Sequence, residues 1–130
     1  MRSTMALLAI SLLTSTVSLA RPKTAGPRTM TFVATAHSQK GRTASGATSH
    51  VGTVAADPAV LPLGSRIHVT GAGGYSGEYT VEDTGALVKG RHIDIYMPTE
   101  AEAKKFGKRR VSVQVLQRGG GKGKPARAQP

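Results

Sequence analysis

Val81–Leu116 reads VEDTGALVKGRHIDIYMPTEAEAKKFGKRRVSVQVL, and its hydrophobic period changes twice within that span. In His92–Met97 (HIDIYM), Ile93 and Ile95 fall on one face while His92, Asp94 and Tyr96 fall on the other, the period-two pattern of a strand. After Pro98, Thr99 is placed to cap a helix and Glu102, three residues on, completes a capping box. The helix runs through Ala103 to Phe106 and stops at Gly107. Val111, Val113 and Val115 then alternate with Ser112 and Gln114, which restores the strand period.

Outward toward the N-terminus the signals stay β. Gly77–Glu82 (GEYTVE) alternates, and Ser65–Thr70 (SRIHVT) sets Ile67 and Val69 opposite Arg66, His68 and Thr70, with a Gly-Ala-Gly-Gly turn between the two stretches. Val51–Ala56 and Thr29–Ala36 (TMTFVATA) add two more strands, separated by a long polar loop. Six strands with one short helix before the last predict a mainly β fold, a small closed barrel rather than an open sheet. The chain has no cysteine, so neither a disulfide nor a thiolate metal site helps to hold this barrel.

The ends have a different character. Met1-Arg2, the apolar run Met5–Leu13 and the small residues closing at Ala20 follow the order of a secretory signal, so residues 1–20 are expected to be a signal peptide and the protein to be exported. The run is far shorter than the roughly 20 apolar residues of a membrane span. Residues 21–28 read as a disordered lead-in, 29–117 as the folded domain, and 118–130, which carry no apolar side chain larger than alanine, as a basic disordered tail. The net charge of +11 suits an anionic partner. Export, an aromatic content of 4% and the concentration of cations in the ends argue against nucleic acid and for an anionic wall polymer held through the basic termini.

The seven carboxylates are few enough to weigh singly. Glu78, Glu100 and Glu102 read as solvent-facing or capping residues. Asp57, at the end of a strand and followed by Pro58, reads first as a turn-forming aspartate. Asp83 lies where a strand enters a glycine turn, and Asp94 lies in mid-strand, where aspartate is disfavoured and needs local compensation. Lys89 or Arg91 could supply it by pairing with Asp94; alternatively a second carboxylate close by keeps Asp94 protonated, as a general acid requires. The histidines form no close helical pair, so no metal site is expected, and His68 and His92 read as exposed sheet residues; His50, in a loop, is a candidate substrate contact.

Thr43-Ala44-Ser45-Gly46, VAADPAVLPLGSRIHV and the long segment from Val81 to Leu116 together resemble the 3D domain, named for three aspartates, over about Thr31 to Leu116. The resemblance implies a six-stranded double-psi β-barrel related to the membrane-bound lytic transglycosylase A family. It further implies cleavage of peptidoglycan glycan strands between N-acetylmuramic acid and N-acetylglucosamine to a 1,6-anhydro product. By that resemblance Asp94 is the catalytic acid and base, Asp83 its supporting carboxylate and Asp57 the third, site-organising aspartate; Thr43 lines the groove and Lys89 falls in the family's usual Gly-Ala-Ile-Lys-Gly segment. No metal or organic cofactor is implied. Two features depart from the usual pattern: the loop from His37 to Arg42 lacks cysteines, and the turn reads Gly85-Ala86-Leu87-Val88-Lys89-Gly90, without a second glycine. Two alternatives stand beside this reading: a noncatalytic module that binds or loosens the wall with the same groove, and water-based hydrolysis with inversion, in which Asp83 acts as base.

Overall fold

The computed structural model describes residues 28–121 and, in isolation, Ser11. The expected signal peptide, almost all of the expected lead-in and the tail beyond Gly121 lie outside the described residues. Within them, the strands are β1 (Thr29–His37), β2 (Thr53–Ala56), β3 (Arg66–Thr70), β4 (Gly77–Asp83), β5 (His92–Tyr96) and β6 (Arg109–Gln117), with α1 (Glu100–Phe106) before the last. They close into one barrel in the order β1-β5-β2-β4-β3-β6. Among the described residues, no helix is long and apolar enough to cross a membrane.

Two pairs are parallel, β1 with β5 and β2 with β4, and the other four are antiparallel. Exchanging β1, β2 and β3 for β4, β5 and β6 maps every pairing onto another of the same sense, which is the pseudo-twofold of a double-psi barrel. Local chemistry repeats with it. Pro58 and Pro98 each lie two residues past the end of β2 and β5, and Gly64 and Gly107 each lie two residues before β3 and β6. Both glycines have positive φ, 86° and 64°, a backbone conformation open to glycine and costly for other residues.

Alternation decides which side chains fill the barrel. Phe32 and Ala34, Val54 and Ala56, Ile67 and Val69, Tyr79 and Val81, Ile93 and Ile95, and Val111 and Val113 come from the six strands in turn, and all are buried in one cluster. Leu61 and Leu63 close it from the β2–β3 connection and Phe106 from α1. The helix begins as its sequence predicts: Thr99 Oγ1 accepts from the Glu102 N–H at 3.2 Å and donates to Glu102 Oε2 at 3.0 Å.

At three places the departure from the expected boundaries has a direct cause. Gly52, with φ of 94°, breaks the extended chain, so β2 starts at Thr53 and Val51 stays exposed in the preceding turn. β1 runs one residue further than its apolar pattern, because His37 pairs with Tyr96 of β5. Past β6, the Gly119 N–H donates to the buried Ser65 Oγ at 2.9 Å, so the first residues of the expected tail lie against the barrel.

Candidate functional site

The outer faces of four neighbouring strands carry the polar residues. Thr35 pairs with Asp94, Asp94 with Ala55, and Ala55 with Asp83, so these four form one lateral row across β1, β5, β2 and β4. With adjacent strands about 4.8 Å apart, the two aspartates are separated by roughly 10 Å between Cα atoms. Ala55 lies between them. Its small side chain is buried yet takes no part in the core cluster, so it forms the floor of a groove between two carboxylates.

Strict alternation along β4 would place Glu82, not Asp83, beside Ala55. A β-bulge prevents this: Val54 pairs with Val81 but Ala55 pairs with Asp83, leaving Glu82 as the extra residue. Asp83 Oδ1 accepts from the N–H groups of Ala44, at 3.0 Å, and Thr84, at 2.9 Å. The loop that carries Thr43 is therefore clamped onto the end of β4, a contact reinforced by the Ser45 N–H donating to the Glu82 carbonyl at 2.9 Å.

Asp94 is held at both oxygens. Thr35 Oγ1 donates to Oδ1 at 3.0 Å, and His37 Nδ1 lies 2.9 Å from Oδ2. The Nδ1–H direction is not well aligned on that oxygen, so the second contact is an ion pair first and a hydrogen bond second. Thr35 has one hydroxyl proton, already given to Asp94; the 2.8 Å contact with His92 Nε2 is therefore a donation from the His92 ring to Thr35. The contact with Asp94 holds the His37 imidazole above its ordinary value of 6.5, helped by the charges of Asp94 and Asp83 and opposed by partial burial. Tyr96 meets the His37 ring edge-on at 5.7 Å between centroids and limits its rotation.

The compensation for a mid-strand aspartate thus comes from histidine and threonine. Among the described residues, neither Lys89 nor Arg91 lies within ion-pair distance of Asp94, which corrects that expectation: both cations sit on the connection before β5 and are exposed. The second carboxylate, Asp83, is separated from Asp94 by a full strand.

Other expected site residues are placed nearby in different roles. Asp57 accepts from the N–H groups of Ala59, at 3.0 Å, and Gly90, at 2.8 Å, tying the 84–91 connection to the β2–β3 turn. The Gly90 and then the Ala59 hydrogen bonds lower its pKa, with help from the Lys89 charge. Thr43 is buried; its hydroxyl donates to the Ala47 carbonyl at 3.0 Å and contacts Ser45 Oγ at 2.9 Å, so it shapes the loop from within. His50 Nδ1 donates to the Thr48 carbonyl at 2.8 Å and lies 3.7 Å from Glu82 Oε2, a buried atom with no hydrogen-bond partner among the described residues. No group of three or more histidine and carboxylate side chains among the described residues is arranged to hold a metal ion.

The residues that sequence reasoning missed are His37, Thr35 and His92. Thr35 and His37 share the alternation of β1, which was visible, but nothing local announces that β1 runs parallel to β5.

Comparison with known proteins agrees with the motifs. A stretch of 63 residues is 44% identical to the cell wall-binding protein YocH of Bacillus subtilis, covering 48% of this chain and 21% of that protein. Another, of 60 residues, is 42% identical to the SPbeta prophage-derived uncharacterized protein YorM of the same organism, covering 46% and 25%. The chain thus spans a quarter or less of the length of these relatives. The crystal structure of MltA from E. coli aligns with a TM-score of 0.49 at 23% identity, over 60% of this chain and 28% of that one. Residues 52–117 match the 3D domain, and because that match takes in just over half of the 130 residues, the chain belongs to the 3D domain family.

Proposed function

We propose that this protein works outside the cytoplasm on peptidoglycan, laying a glycan strand across the outer faces of β4, β2, β5 and β1 and cleaving it by lytic transglycosylation. The observation that carries the reading is the row Asp83, Ala55, Asp94: two carboxylates flank a single alanine across three adjacent strands. The similarity to YocH, a cell wall-binding protein, supports the same class of partner.

In this reading the one proton carried by the Asp94–His37 pair passes through Asp94 to the glycosidic oxygen as the bond from muramic acid C1 breaks. The muramic acid 6-hydroxyl then attacks C1, and its proton returns to the Asp94–His37 pair, so no water is consumed and a 1,6-anhydro end remains. Asp83 stabilises the developing positive charge from the far side of Ala55. Asp57 and Thr43 hold the flanking loops, while Lys89 and His50 meet the strand at its rims. The signal-like residues 1–20 carry the chain out, and the basic ends attract anionic wall polymer.

A second reading, a noncatalytic wall-binding module using the same groove, is favoured by one observation: both oxygens of Asp94 are already engaged, by Thr35 and His37. Mass spectrometry of the products released from purified peptidoglycan separates the two. Anhydro-muropeptides from the unmodified protein and none from Asp94→Asn would support transglycosylation. Reducing-end products would point to hydrolysis. If both proteins sediment with the wall and release nothing, the binding module stands.

A further inference from the structure

The groove does not end at β1. On the far side of Thr35 and His37 a cleft of about 800 Å³ opens between the end of β1 and α1, with Ser38 and Gln39 on one wall and Lys104 and Lys108 on the other. Thr35 and His37 line this cleft and also contact Asp94, so the two spaces share a wall. Charge changes sign along the combined path. Glu82 and Asp83 lie at the β4 end, whereas at the α1 end Lys104 and Lys108 outnumber the one carboxylate lining the cleft, Glu100.

We propose that the α1 cleft is a subsite for a free carboxylate on the peptide attached to the sugar strand, and that it sets the direction in which the strand lies across Asp94. This rests on the reading that the groove takes peptidoglycan.

Charge and size favour that ligand. Glu100 lies 3.2 Å from Lys104 and offsets its charge, whereas no carboxylate among the described residues pairs with Lys108. One uncompensated cation matches a singly charged group such as a carboxylate, and a glycerol phosphate probe, whose diester phosphates also carry one charge each, tells the two apart. The hydroxyl of Ser38 and the amide of Gln39 offer partners for peptide N–H and C=O groups, and Ala36, Ala103 and Gly107 leave room for small side chains. A strand laid the other way would bring its carboxylate against Glu82 and Asp83, where like charges repel.

The test uses the isotope-labelled chain and four probes, read by NMR titration: a glycan tetrasaccharide with peptide stems ending in free carboxylates, the same molecule with those carboxylates amidated, a stem-free N-acetylglucosamine tetramer, and a glycerol phosphate oligomer. We expect amidation, or Lys108→Gln, to weaken binding of the stem-bearing glycan about tenfold, the loss of one charge-assisted contact. Lys108→Gln should leave the affinity for the stem-free tetramer unchanged, and the Gln39 and Gly107 amides should respond only to the free carboxylate. Equal affinity for the free and amidated forms, with the Ala55 and Asp94 amides responding to both, overturns the subsite and leaves the groove reading intact. Failure of every glycan to move those amides overturns both. Preferential capture of glycerol phosphate at Gln39 and Gly107 overturns the carboxylate assignment.

Discussion

His37 Nδ1 lies 2.9 Å from Asp94 Oδ2, and this contact joins the end of β1 to the middle of β5 at the centre of the groove. It makes the titration of a histidine a reporter on the carboxylate assigned the central role.

The folded protein binds the His37 proton more tightly than the unfolded chain does, because Asp94 holds the imidazole above 6.5. The resulting stabilisation is fully present below about pH 6.5, the unfolded value, and is lost as pH rises through the higher folded value. His37→Gln should therefore lower Tm more at pH 6 than at pH 9, as thermal melts across that range would record. An NMR titration of the His37 ring should give a midpoint above 6.5 that falls in Asp94→Asn; a midpoint unmoved by that substitution would refute the pairing.

Asp57 gives the opposite sign. Backbone donors from Gly90 and Ala59 hold its pKa below the usual 3.8, so its contribution is present above that value and disappears as pH falls through the folded value. Asp57→Ala should free the 84–91 connection, raising hydrogen exchange at the Gly90 amide on the order of tenfold. Core amides such as that of Val81 should keep their protection. Uniform loss of protection through the barrel would show that Asp57 supports the whole fold rather than one loop.

A Cβ at Gly119 would come 2.1 Å from the Leu63 carbonyl oxygen and 2.4 Å from the Ser65 nitrogen, both rigid backbone atoms. Gly119→Ala should lift the chain after β6 away from the β2–β3 connection and break the bond from Gly119 N–H to Ser65 Oγ. The expected loss is about 1 kcal/mol in chemical denaturation, the worth of one hydrogen bond. An unchanged midpoint with Gly119 still protected from exchange would contradict the docking.

Each strand was legible because alternation is a local property of extended backbone. It alone placed Ile93 and Ile95 inward and Asp94 outward, and Thr99 with Glu102 announced the helix through the same short-range chemistry. The double-psi topology was legible through the family motifs, not through periodicity.

What only the tertiary structure decided is which outward faces are neighbours. Parallel pairing of β1 with β5 brings His37 to Asp94 across 57 residues of sequence, and one bulged residue, Glu82, turns Asp83 to the groove where alternation would have hidden it. The physical reason is that the sequence by itself determines the period of each strand, whereas register between strands is set by closing the whole barrel around its core. A shift of one residue in that register exchanges one face of a strand for the other.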